Sequence, residues 1–168
     1  MGAQAYSLPA RLLHWATAII VIATFFLGLA MLRVAAGPMQ NRLFGWHESL
    51  GAAVLALTVL RLLWRLGHPP PARITAPATA LHLVLYALLL AQPVLGWLGA
   101  SAFGAAVGVF GLFDLPVLLP PDKAAAAVLF RIHQYGAFVL AGLVTIHVGV
   151  ALFHRLVLRD GVFRRMIG

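Results

Sequence analysis

The segment from Leu12 to Leu32 contains no Lys, Arg, Asp or Glu. A run of that length crosses the roughly 30 Å hydrocarbon core of a bilayer. In hydrocarbon every backbone N–H and C=O must be satisfied within the protein, so such a run is helical. Four apolar spans are expected, at about 9–32, 44–66, 79–102 and 132–158. The predicted fold is all-α, an integral membrane four-helix bundle, with residues 1–168 as a single domain. Composition agrees: 62% of the residues are hydrophobic and 10% charged, whereas a soluble domain carries about a quarter charged residues. The first span is too long for the apolar core of a signal peptide and is expected to stay in the protein. Pro120-Pro121-Asp122 is a helix start signal, so the fourth helix has a second, earlier starting point. Gly104 to Leu119 is apolar but interrupted by Gly and Pro, and is expected to be a loop lying on the membrane surface. Pro69-Pro70-Pro71 makes the connection between spans two and three a stiff, extended turn.

The net charge of +8 would suggest nucleic acid in a soluble chain. Here the basic residues flank apolar spans, so topology and anionic lipid or cofactor groups account for them. With an even number of spans both termini share a side. Arg11, Arg61, Arg65, Arg73, Arg155, Arg159, Arg164 and Arg165 fall on that side, against Arg33, Arg42, Lys123 and Arg131 on the other. The positive-inside rule then predicts cytoplasmic termini. The absence of cysteine excludes disulfides, thiolate zinc sites, iron–sulfur clusters and haem attached through C-x-x-C-H.

Ionisable side chains inside a span are costly and are functional by default. His133 and His147 lie fourteen residues apart on the fourth span, which puts both rings on one face about 21 Å apart along the axis. By depth, His47 matches His133 near the outer face and His14 matches His147 near the inner one. Two pairs of imidazoles are what two haem irons, held without covalent attachment, would need. Each ring's second nitrogen is expected to bond a backbone carbonyl of a neighbouring turn. His68, in a polar loop, and His82, early in span three, read as structural residues. His154 follows His147 by two turns and shares its face. It is placed to bond a haem propionate or a quinone carbonyl, although a snorkelling interfacial histidine explains it equally well. Arg42 and Arg131 near the outer pair, and Arg61, Arg65 and Arg155 near the inner one, suit propionates. Gly45, Gly51, Gly136, Gly142 and Gly149 leave room for a flat macrocycle, or for close helix packing.

At these residues the chain resembles the bacterial cytochrome b561 family of four-span dihaem membrane proteins. The matching segments are Leu13-His14-Trp15, Phe44-Gly45-Trp46-His47-Glu48, Val59 to Arg65, His82 to Tyr86, Pro93 to Gly96, and the spacing of His133 and His147. The resemblance implies haem ligation by His14, His47, His133 and His147, two haem b groups, and electron transfer to or from a quinone. The expected location is the bacterial cytoplasmic membrane. Superoxide is one outer donor that Arg33, Arg42, Lys123 and Arg131 would attract. Two other classes remain: a cytochrome b subunit anchoring a hydrogenase- or dehydrogenase-type complex, and a transporter with a histidine relay. Short spans without an internal repeat or paired broken helices argue against the transporter.

Overall fold

The computed structural model describes residues 5–69 and 75–168. Pro70, Pro71 and Arg73 lie outside the described residues. Four long helices alternate in direction: α1 (Leu8–Met31), α2 (Pro38–Gly67), α3 (Ala76–Phe103) and α4 (Lys123–Phe153). Each of the first three carries a proline within its first two positions, where the missing N–H has no helical partner to lose. α4 begins at the earlier of its two starting points. Asp122 accepts the N–H groups of Ala124 and Ala125 at 2.9 and 3.1 Å, which satisfies two donors the first turn otherwise leaves open. α3 stops at Gly104, whose φ of +89° a side chain would resist.

The early starts of α2 and α4 put His47 and His133 in the third turn of their helices rather than at the mouth. All four long helices are apolar enough and long enough to cross a membrane. Side chains such as Ile19, Phe26, Leu63 and Val139 are therefore exposed in the bundle and face lipid. The buried core is thin: Val54, Leu85, Leu89 and Leu140 form one cluster. Thr17, Thr58 and Ser101 are fully buried. Thr17 and Thr58 turn their hydroxyls back onto the carbonyls of Leu13 and Val54, which satisfies these two buried hydroxyls within their own helices.

Between α3 and α4 the Gly104–Leu119 segment is more ordered than a surface loop. It forms a hairpin of β1 (Val107–Val109) and β2 (Phe113–Leu115), antiparallel with Gly108 opposite Asp114. A membrane-surface segment must still pair its backbone, and these strands pair with each other. Ser49 of α2 ties the hairpin down: its one hydroxyl proton is shared between the Gly45 and Gly108 carbonyls, at 2.7 and 3.1 Å, and its oxygen accepts from the Phe110 N–H. The opposite end of the bundle carries both termini. There α4 runs into a π-helical turn (His154–Leu158), then a one-turn helix α5 (Arg164–Ile167). The last residues fold back on α1: Tyr6 N–H reaches Arg165 O, Trp15 Nε1 reaches Met166 O, and Arg11 reaches Ile167 O.

Candidate functional site

At the hairpin end His47 (α2) and His133 (α4) face each other with ring centres 6.0 Å apart and planes at 90°. Each ring is held from a neighbouring helix. His47 Nδ1 donates to Thr24 O of α1 at 3.0 Å, and His133 Nδ1 donates to Gln92 O of α3 at 2.9 Å. A carbonyl can only accept, so Nδ1 carries the proton and Nε2 presents a lone pair. One turn on from each carbonyl stands a glycine. A Cβ at Gly28 would lie 3.0 Å from His47 Cε1, and one at Gly96 would lie 3.3 Å from His133 Cε1. The same device thus occurs on α1 and α3: a carbonyl fixes the ring and a glycine admits its edge.

At the terminal end His14 (α1) and His147 (α4) have ring centres 6.3 Å apart, with planes at 64°. His82 of α3 is closer still to His147, at 5.4 Å. This end therefore gathers three histidines where the sequence suggested two and gave His82 a packing role. His14 differs from the hairpin-end rings in its partner. Arg61 Nη2 donates to His14 Nδ1 at 3.1 Å, and a guanidinium cannot accept. In a neutral His14 the proton then sits on Nε2. Arg61 also lies over the Tyr86 ring, 5.1 Å from its centre, with Arg65 at 6.0 Å.

The other sequence candidates are scattered. Arg42 and Arg131 are exposed and make no side-chain hydrogen bond among the described residues. His68 stacks flat on Trp64 at 4.0 Å. His154 lies two turns beyond His147, and its Nδ1 is 2.6 Å from Asp160 Oδ2. The other carboxylate oxygen accepts the Val162 N–H. That backbone hydrogen bond, followed by the one from His154, holds the Asp160 carboxyl below the usual carboxylate range.

Among the described residues no group of three or more His, Cys, Asp or Glu side chains converges as a bare metal ion would need. Two imidazoles on opposite sides of one metal, with bonds of about 2 Å, have ring centres about 6 Å apart. The pairs at 6.0 and 6.3 Å fit that requirement, and the 5.4 Å contact of His82 fits it less well. The description "Prokaryotic cytochrome b561" matches residues 5–168. The chain belongs to that family. Among its relatives, cytochrome b561 homolog 2 of Escherichia coli (strain K12) is 33% identical, over 98% of this chain and 92% of the relative. Cytochrome b562 of Cereibacter sphaeroides is 30% identical, over 92% and 90%. A Yersinia pestis protein named "Probable superoxide oxidase CybB" is 26% identical, over 92% and 91%. This b561-family chain is a bacterial membrane cytochrome of the b type, built for electron transfer.

Haem b is the group the family implies, and the donor chemistry here suits it: paired imidazoles, no thiolate, and the Arg61 guanidinium beside the terminal-end pair. Sequence reasoning missed Gly28 and Gly96. Of the glycines singled out in the sequence, Gly45, Gly51, Gly142 and Gly149 have open space where a Cβ would stand, whereas a Cβ at Gly136 would collide with the Gln92 side chain across the α3–α4 contact. The available signal was the small residue one turn after a carbonyl on the neighbouring spans, and finding it requires knowing which helices are neighbours.

Proposed function

We propose that the chain carries two haem b groups, each between two histidines, and moves electrons across the cytoplasmic membrane between an outer donor and a quinone. His47 and His133 hold the haem at the hairpin end, and His14 and His147 the one at the terminal end. The observation carrying this reading is the pair of ring separations, 6.0 and 6.3 Å, set fourteen residues apart on one face of α4. When bound, haem supplies reversible one-electron chemistry; the protein supplies ligation, spacing and local polarity.

Thr24 and Gln92 fix the tautomers of His47 and His133 with Nε2 free, so the hairpin-end site is preorganised. At the terminal end Arg61 would pair with a haem propionate, a stronger charge-assisted partner, and the His14 proton would then sit on Nδ1 in place of the Arg61 contact, leaving Nε2 free to ligate. Arg42 and Arg131 serve propionates at the hairpin end. His154 meets a quinone carbonyl in its doubly protonated form, donating from Nε2 to the quinone and from Nδ1 to Asp160. In this orientation the termini are cytoplasmic and the hairpin faces outward. Superoxide is the proposed outer donor. Its support is the basic set Arg33, Arg42, Lys123 and Arg131 at that end, which attracts an anion, together with the name of the Yersinia pestis relative. A single experiment tests the core of the reading. The purified protein should give a reduced-minus-oxidised b-type spectrum with two haems per chain, all removed by acid–acetone. One haem per chain, or none in a folded and active protein, overturns it.

A further inference from the structure

Where α4 ends, its last turn widens into the π-helical segment His154–Leu158 and the chain reverses through Arg159, Asp160 and Gly161. This reversal borders an open cleft of about 380 Å³ lined by His154, Arg155, Arg159, Gly161, Phe163 and Arg164. Three arginines thus line one cleft. Among the described residues the one acidic side chain in this reversal is already engaged: Asp160 gives one oxygen to His154 and the other to the Val162 N–H. Among the described residues this His154–Asp160 contact is the only ion pair, so Arg155, Arg159 and Arg164 have no carboxylate of their own. Arg155 rests on the face of Phe163, 4.9 Å from its centre, which orients the guanidinium without neutralising it. Arg159 sits at φ +52°, a left-handed backbone that a residue with a Cβ adopts at a cost. Its Nε is tied to Leu156 O at 3.3 Å. Strained backbone of this kind persists where surrounding structure requires it, and it clusters at ligand clamps.

Like charges converging on one cleft repel, and an anion seated among them relieves the repulsion. Planar guanidinium forks match phosphate oxygens two at a time. The cleft also lies where a membrane-spanning helix ends, at the level of lipid headgroups. We infer that Arg155, Arg159 and Arg164 form a binding site for a phosphate ester, the headgroup of an anionic phospholipid or a free phosphate anion. This site goes beyond the electron-transfer reading and requires no quinone.

The test uses the delipidated, haem-containing protein, offered phosphatidylglycerol, phosphatidylcholine or inorganic phosphate separately. Lipid retention is read by native mass spectrometry and phosphate by its effect on the melting temperature. Phosphatidylglycerol should be retained at one molecule per chain, and phosphatidylcholine should wash away. Each arginine near an anionic surface contributes about fivefold in affinity. Arg159→Gln should therefore weaken binding about fivefold, and Arg155→Gln, Arg159→Gln and Arg164→Gln together about a hundredfold. Arg33→Gln with Lys123→Gln, at the hairpin end, should leave retention unchanged. Retention of phosphatidylglycerol that inorganic phosphate does not displace identifies the lipid; phosphate that binds equally well identifies the free anion. Equal retention of phosphatidylcholine overturns the site. So does undiminished affinity in the triple variant or, should that variant fail to fold, in Arg159→Gln. Loss of lipid binding with an intact two-haem spectrum separates this site from the haem reading.

Discussion

At the scale of single residues, His147 has two neighbours competing for it, and their geometry differs. His14 stands at 6.3 Å and His82 at 5.4 Å, with only the former near the separation that a shared metal sets. Under the proposed function His14→Ala should lower haem content from two per chain to one, whereas His82→Phe should keep two. The reverse pattern makes His82 the partner of His147. His147→Ala should also remove one haem while leaving the His47–His133 spectrum intact, and His154→Ala should keep both. Asp160 gives a pH dependence of known sign. Its pKa is lowered first by the Val162 N–H and then by His154, so the contact is fully present above the ordinary carboxylate range. It is lost as pH falls through the lowered value. Wild type should therefore melt above Asp160→Asn at pH 7, with the difference vanishing once the pH falls below the lowered value. A difference that persists in acid would mean that the carboxylate charge does not hold this turn.

At the scale of elements, the helices were legible because bilayer length and apolar composition leave few other structures open. The approach of His47 to His133 and of His14 to His147 was legible by depth, but that of His82 to His147 was not. The hairpin was not, because three-residue strands in an apolar, Gly- and Pro-broken segment have no periodicity long enough to detect. The contribution of α1 and α3 at the hairpin end was also hidden. Thr24 and Gln92 act through backbone carbonyls, which any residue supplies, and Gly28 and Gly96 act by lacking a side chain. Their role is nevertheless testable. Gly28→Ala puts a methyl 3.0 Å from His47 Cε1, and Gly96→Ala puts one 3.3 Å from His133 Cε1. Gly28→Ala should displace its ring further and lose more haem at the hairpin end, read as occupancy of the spectrum that survives in His147→Ala. Equal, full occupancy in both variants would show that the rings have slack. Asp122→Ala removes the cap of α4 and should cost about 1 kcal/mol of stability, measured by thermal unfolding, with haem content unchanged.

At the scale of the whole molecule, the two ends of the bundle are chemically unlike. The terminal end holds Arg11, Arg61, Arg65, Arg155, Arg159, Arg164 and Arg165, and the chain termini are tied together there through Tyr6 and Arg165, Trp15 and Met166, and Arg11 and Ile167. The other end is closed by an apolar hairpin pinned to Ser49. This asymmetry bears on orientation, because insertion keeps the more basic end in the cytoplasm. Reporter proteins fused separately to the N- and C-termini should both report the cytoplasm. A third reporter inserted after Gly111, at the hairpin tip, should report the opposite side. The outcomes overturn different things. If both termini report the outer side and the hairpin the inner, the bundle stands but its direction is reversed, and superoxide loses its access to the basic hairpin end. If the two termini report different sides, the number of membrane crossings is odd. The backbone contacts between residues 6 and 165 could not then form, and the depth matching of His14 with His147 and of His47 with His133 would go with them.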